Sequence, residues 1–168
     1  MINIYKEKRE QKNAELRILI DKMLDDGNYF LDKYFKDLDI AEYRYDILEA
    51  MEELCLDRSE VIQLVEDYVI QILKSKSKFD KYIDKLIDDS SKNIDLDYGD
   101  IVNLAHKNLG VARNLRIKDA SIVLEVIMSK TDLDYLRLCA KALEILAVKL
   151  NPKCAYDTLS LIRVKNSL

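Results

Sequence analysis

Residues 131–152 read TDLDYLRLCAKALEILAVKLNP, and this stretch decides the fold class. Apolar residues recur in it every three or four positions, which is the period of one face of an α-helix. The recurring residues are Leu136, Ala140, Leu143 and Leu146. Thr131 or Asp132 supplies a helix start signal, and Asn151 followed by Pro152 supplies the next one. The stretch therefore predicts one long helix and the beginning of another.

The same period extends over most of the chain. Only three glycines and one proline occur in 168 residues, and a chain this poor in helix-breaking residues is expected to be helical. We predict an all-α fold of eight or nine helices, arranged as an antiparallel helical bundle or as stacked helical hairpins. The first helix is expected over residues 3–26, with Gly27 just beyond its C-terminus and a short aromatic helix after it.

The length fits one helical domain over residues 1–168, with a sub-boundary at the polar loop predicted for residues 88–97. The charge changes sign near that loop. Residues 1–97 carry 24 acidic and 16 basic side chains, whereas residues 98–168 carry 7 and 11. This asymmetry fits either solvated helix faces of different sign or an acidic partner at the C-terminal half.

Several classes of protein are disfavoured by composition. No segment has the roughly 20 apolar residues of a membrane-spanning helix, and the charged N-terminus does not resemble a signal peptide, so we expect a cytoplasmic protein without a membrane partner. The three cysteines, Cys55, Cys139 and Cys154, are expected to be free and buried. With a single histidine in the chain, we predict neither a metal site nor a cofactor.

The C-terminal half supplies the first functional hypothesis. Its predicted core consists of Leu104, Ala105, Ala112, Ile122, Val123, Val126, Leu136, Ala140, Leu143 and Leu146. The stretch from Ile117 to Leu150 is unusually apolar, and the sequence contains no convincing catalytic cluster. These features favour a non-enzymatic module for protein–protein interaction or scaffolding, one that self-associates into an oligomer.

His106 supplies the second hypothesis. It lies at the edge of an apolar helix stripe, and Gly110 follows one turn later, where a glycine costs about 1 kcal/mol relative to alanine. Together with their neighbours they form a pattern of five residues, Ala105, His106, Gly110, Ala112 and Leu115. This pattern resembles the phosphorylated helix of histidine phosphotransfer (HPt) domains. The simpler alternative is a histidine with a structural hydrogen bond.

The HPt resemblance implies a four-helix bundle over residues 58–150, with His106 as the phosphoryl acceptor in a phosphorelay. It also implies an acidic receiver domain as partner, which would meet the basic residues near His106. The expected binding residues are Lys107, Gly110, Arg113, Arg116 and Lys118. The sequence departs from the family at Leu109, which stands where the family has a lysine.

The third hypothesis is weak nucleic-acid binding by the basic C-terminal half. It would use Lys107, Arg113, Arg116, Lys118, Lys130, Arg137 and Lys141. No recognition motif accompanies this modest positive charge. A basic strip continuous across several helices would favour this hypothesis, and exposure of His106 would favour the second.

Overall fold

The computed structural model describes the backbone of residues 2–167, and the side chains of residues 3–162 and 165. Seven α-helices and one short 3-10 helix make up its regular structure, and no strand occurs in the described range. The helices are α1 (Ile2–Tyr34), α2 (Ile47–Leu54), α3 (Arg58–Ser91), α4 (Gly99–Asn114), α5 (Lys118–Ser129), α6 (Leu133–Leu150) and α7 (Pro152–Ser167), with the 3-10 helix at Lys36–Leu38. The all-α class is therefore confirmed, whereas the predicted number of eight or nine helices is wrong.

The miscount arises in α1, which does not end at Gly27. The helix continues through Gly27 to Tyr34 and absorbs the predicted aromatic helix. Gly27 is buried, and a Cβ atom added to it would lie 2.7 Å from Cγ2 of Ile145 on α6. The glycine therefore permits close approach of two helices and does not terminate one.

Side chains cap the starts of α3, α6 and α7, including the two starts predicted at Asp132 and at Asn151. Asp57 and Glu60 make a reciprocal capping box at the beginning of α3, as expected for this spacing. The Asp132 carboxylate accepts a hydrogen bond from the backbone N–H of Tyr135 at 2.9 Å. The Asn151 side chain accepts one from the N–H of Cys154 at 3.1 Å, and α7 begins at the following proline.

Four consecutive helices close into a ring. Helix α3 packs against α4 and α6, α4 packs against α5, and α5 packs against α6. Short connections at 92–98, 115–117 and 130–132 join them, as is typical of neighbouring antiparallel helices. The remaining helices lie outside this ring: α2 packs on α3, α7 packs on α3 and α6, and α1 packs mainly on α6.

Helix α6 is central because it contacts α1, α3, α5 and α7. Nine of its residues are buried, so the apolar stretch from Ile117 to Leu150 is covered largely by the chain itself. This internal packing accounts for the feature that had suggested self-association. Within residues 2–167, no helix is both long enough and apolar enough to cross a membrane.

Most of the predicted core is buried, with three exceptions. Leu104 and Val126 are half-buried, and Ile122 is 37% exposed, because it shares the outer face of α5 with Lys118 and Glu125 one turn away on either side. All three cysteines are free, but only Cys139 is buried as predicted: Cys154 is half-buried and Cys55 is exposed. It ends α2 in a left-handed conformation with φ 54°, at a surface turn.

Candidate functional site

His106 lies in the middle of α4 with its side chain exposed. We name the surface around it the His106 face. The face consists of the exposed residues of α4 from the second turn of the helix onward, which are Asn103, His106, Lys107, Gly110, Arg113 and Asn114. Their spacing of three or four residues places them on one side of the helix, and none of them is acidic. The imidazole is thus presented to solvent on a polar surface that is neutral to basic.

Gly110 has open space where a side chain would be. Apart from its chain neighbours and the backbone of its own helix, no atom lies within 4 Å of a Cβ built at this residue. Packing therefore does not explain the roughly 1 kcal/mol that a glycine costs inside a helix. The consequence is an unobstructed surface one turn beyond His106.

The opposite side of α4 is held by a buried polar network. Asn108 is fully buried, and its amide donates to the Leu104 carbonyl at 2.9 Å and contacts the Ser75 hydroxyl at 3.1 Å. Its side-chain oxygen accepts from the Gln71 amide at 3.3 Å. Because Ser75 and Gln71 belong to α3, this network fixes α4, and with it His106, against α3. The adjacent Leu109 is 3% exposed, so the position at which the HPt resemblance would place a lysine faces the core.

The structure divides the predicted basic cluster in two. Lys107 and Arg113 share the His106 face, and Nη2 of Arg113 lies 2.5 Å from Oε1 of Glu125 on α5. Lys118 instead lies 3.0 Å from Glu49, which raises the pKa of the lysine by hydrogen bonding and charge attraction. Its neighbour Arg116 pairs with Glu53. Both carboxylates belong to α2, so these two basic residues anchor α2 rather than surround His106.

The other basic residues do not form a continuous free strip. Arg137 pairs with Asp84 at 2.5 Å, and the ammonium of Lys141 lies 5.8 Å from the centre of the Phe30 ring. Arg113 and Lys118 are paired as described above. Four of the seven predicted cations, Arg113, Arg116, Lys118 and Arg137, pair with carboxylates, which reduces the positive charge that a phosphate backbone would meet.

A cavity of about 570 Å³ lies between α1, the segment 41–45, the start of α5 and the end of α6. Among the residues that line the cavity is Asp119, which the sequence analysis did not single out. In the sequence, Asp119 looks like an ordinary acidic residue in the first turn of a helix. Asp119 is 6% exposed, and burial raises its pKa to about 6, against the opposing effects of the Ala120 N–H and of Lys149. Burial also lowers the pKa of Lys149, whose ammonium donates to the Ala41 carbonyl.

Two tyrosine hydroxyls beside this cavity bond to the backbone after α4. The Tyr45 hydroxyl donates to the Leu115 carbonyl at 2.7 Å, and the Tyr43 hydroxyl donates to the Arg116 carbonyl at 3.2 Å. Burial raises the pKa of Tyr45 to about 12, so this hydroxyl remains a donor at neutral pH. The contacts tie the segment before α2 to the α4–α5 connection.

Among the residues whose side chains are described, no three His, Cys, Asp or Glu groups converge to hold a metal ion. No protein-family model, curated protein or solved structure matches this chain. Function is therefore inferred from the side chains and their surroundings.

Proposed function

We propose that this protein transfers phosphoryl groups through His106, in the manner of an HPt domain. The observation that carries the proposal is the exposed imidazole in the middle of α4, on the outside of a closed ring of four helices. The open space at Gly110 leaves room for another protein to approach. A merely structural histidine would be expected to bond to its surroundings, and the exposed position of His106 favours reaction with an external donor.

The chemistry requires only an accessible neutral imidazole and a phosphoryl donor. The lone pair of a ring nitrogen attacks phosphorus in an acyl phosphate, such as a phosphorylated aspartate of a receiver domain. A P–N bond forms as the P–O bond breaks, and the electron pair of the broken bond leaves on the donor carboxylate. Onward transfer reverses these steps at a second aspartate, so the histidine is regenerated.

The charge of the His106 face supports a receiver domain as partner. Lys107 and Arg113 lie on this face, and none of its six members is acidic, although the chain as a whole carries a net charge of −4. Receiver domains surround their aspartate with further carboxylates, which a neutral-to-basic surface complements. Asp100, in the first turn of α4, is the exposed acid of that helix, and it lies on the same side as Asn103 and Lys107, at the N-terminal end and six residues before His106.

The decisive experiment incubates the protein with phosphoramidate and, separately, with phosphorylated receiver domains. We expect an acid-labile, base-stable phosphate on the wild type and none on His106→Ala. Since His106 is exposed, the variant should fold normally, and a urea unfolding curve matching the wild type would establish this. Absence of phosphate from the wild type, or equal labelling of His106→Ala, would overturn the proposal.

A second candidate is the interaction module, and one observation favours it. Every residue from Asn3 to Glu15 is exposed, so this part of α1 has no covering surface within the chain. A helical segment this polar, whose few apolar side chains are exposed as well, can bridge two bodies. Light scattering of the full chain and of a form lacking residues 2–15 tests this candidate. An oligomer that dissociates on truncation would support it, and a monomer in both cases would contradict self-association through α1.

A further inference from the structure

We infer that Arg113 is the cation that stabilises the phosphoryl group on His106, and that Glu125 competes for it and so limits the rate of phosphorylation. This inference rests on the proposed function. It assigns to Arg113 the charge that the family places three residues after the histidine, where this chain has the buried Leu109. It also assigns a regulatory role to a carboxylate on α5.

The positions along α4 allow the contact. His106, Gly110 and Arg113 are four and three residues apart and lie on the same side of the helix. At 1.5 Å per residue, the arginine starts about 10 Å further along the axis than the histidine. Helical side chains lean toward the N-terminus, so Arg113 leans toward His106. Gly110 lies between them, and its open space leaves the path of the guanidinium free.

The competing ion pair is weak enough to exchange. The side chains of Arg113 and Glu125 are 58% and 52% exposed, and ion pairs with this exposure contribute little to stability. A phosphoryl group carries more negative charge than one carboxylate and accepts two parallel N–H bonds from a guanidinium. Arg113 is therefore expected to leave Glu125 for the phosphoryl group as the P–N bond forms.

The other nearby cations are less suited to this role. Lys107 follows His106 directly in the helix, so the two side chains point about 100° apart. Arg116 and Lys118 lie beyond the C-terminus of α4 and pair with carboxylates of α2. Arg113 is thus the basic residue of the His106 face that lies in line with the histidine.

The test measures the initial rate of His106 phosphorylation by phosphoramidate in four variants of the full chain. Arg113→Ala should lower the rate roughly fivefold, and Arg113→Lys should restore part of it. Glu125→Gln should raise the rate above that of the wild type, because it frees the guanidinium. The matched control is Arg137→Ala. Arg137 also pairs with a carboxylate at 2.5 Å, that of Asp84, but it lies on α6 and not on the helix that carries His106. The rate of this control should equal that of the wild type.

The outcomes separate this inference from the proposed function. If the wild type is not phosphorylated, the proposed function fails and the inference falls with it. If the wild type is phosphorylated but Arg113→Ala and Glu125→Gln react at its rate, the inference is wrong and the proposed function stands. An equal loss in Arg137→Ala would show a general effect of net charge and would also overturn the inference. Urea unfolding of each variant establishes that the rates compare folded proteins.

Discussion

At the scale of single residues, two glycines inside helices have opposite surroundings. Gly27 in α1 faces Ile145 so closely that an added Cβ atom would lie 2.7 Å from its Cγ2, whereas a Cβ added to Gly110 in α4 would meet no atom within 4 Å beyond its chain neighbours and its own helix backbone. Both residues carry the same intrinsic helix penalty relative to alanine. Any difference between the effects of substituting the two glycines therefore reports how tightly each helix is packed against its neighbours.

We predict opposite effects for the two alanine substitutions. Gly110→Ala should raise the free energy of unfolding by about 0.5–1 kcal/mol, because only the helix propensity changes. Gly27→Ala should lower it by about 1–2 kcal/mol, because overpacking against the branched Ile145 outweighs that gain. Urea unfolding measures both, and stabilisation by Gly27→Ala would show that α1 and α6 separate easily.

The buried Asp119 gives a pH-dependent contribution to stability. Its pKa rises from 3.8 to about 6 on folding, chiefly through burial, so the folded protein binds this proton more tightly than the unfolded chain does. The resulting stabilisation is present at low pH and is lost as the pH rises through 6. At neutral pH the buried carboxylate is ionised, with Lys149 as the opposing charge.

The variant Asp119→Asn isolates this contribution. Relative to the variant, the wild type should lose up to about 3 kcal/mol of stability between pH 4 and pH 7. Urea unfolding of both proteins across this range measures the difference and cancels the titration of other groups. A difference that stays constant with pH would contradict burial of this carboxylate.

At the scale of elements, the register between α3 and α4 is set by polar contacts as well as apolar ones. Asn108 is buried and joins Ser75 and Gln71 of α3. Buried polar groups of this kind stabilise only while every partner is satisfied. Since His106 lies on the other side of α4, the network also determines which side of the helix reaches solvent.

Asn108→Ala should therefore destabilise the protein by about 1–3 kcal/mol, because it leaves buried hydrogen-bonding groups on α3 without a partner. The control is Asn103→Ala on the exposed side of the same helix, which should change stability by less than about 0.5 kcal/mol. Both are measured by urea unfolding. Equal effects of the two substitutions would mean that the network contributes nothing specific.

At the scale of the whole molecule, α6 connects the ring of four helices to the outer helices. It contacts α1, α3, α5 and α7, and Leu143 near its middle is 1% exposed. Any loss of volume there affects several interfaces at once. The stability of the fold therefore depends more on α6 than on the first turns of α1, where residues 3–15 are all exposed.

Leu143→Ala should lower the free energy of unfolding by about 2–5 kcal/mol through lost burial and a new cavity. Ile122→Ala is the matched control, because Ile122 belongs to the same apolar stretch yet is 37% exposed. Its cost should stay below about 1 kcal/mol. A cost below 0.5 kcal/mol for Leu143→Ala would show that α6 is not the centre of the core.

Sequence patterns within single segments were sufficient to predict the fold class, the starts of α6 and α7, and most of the core. Helix periodicity and capping depend on residues within about one turn of each other, so they can be read from neighbouring positions. The residues around His106 that resemble an HPt helix are likewise close together in sequence, so their pattern can be recognised without the structure. The place of His106 at the edge of an apolar stripe left its exposure open, and the packing of α4 decided it.

Only the tertiary structure decided which distant residues meet. Gly27 looked like a helix end because glycine is common there, and nothing nearby in sequence reveals Ile145 behind it. Arg116 and Lys118 looked like neighbours of His106 until α2 supplied their carboxylates. Asp119 looked like a surface acid until three other segments covered it. The physical reason is the same in each case: burial and charge pairing depend on helices that are remote along the chain and adjacent only after packing.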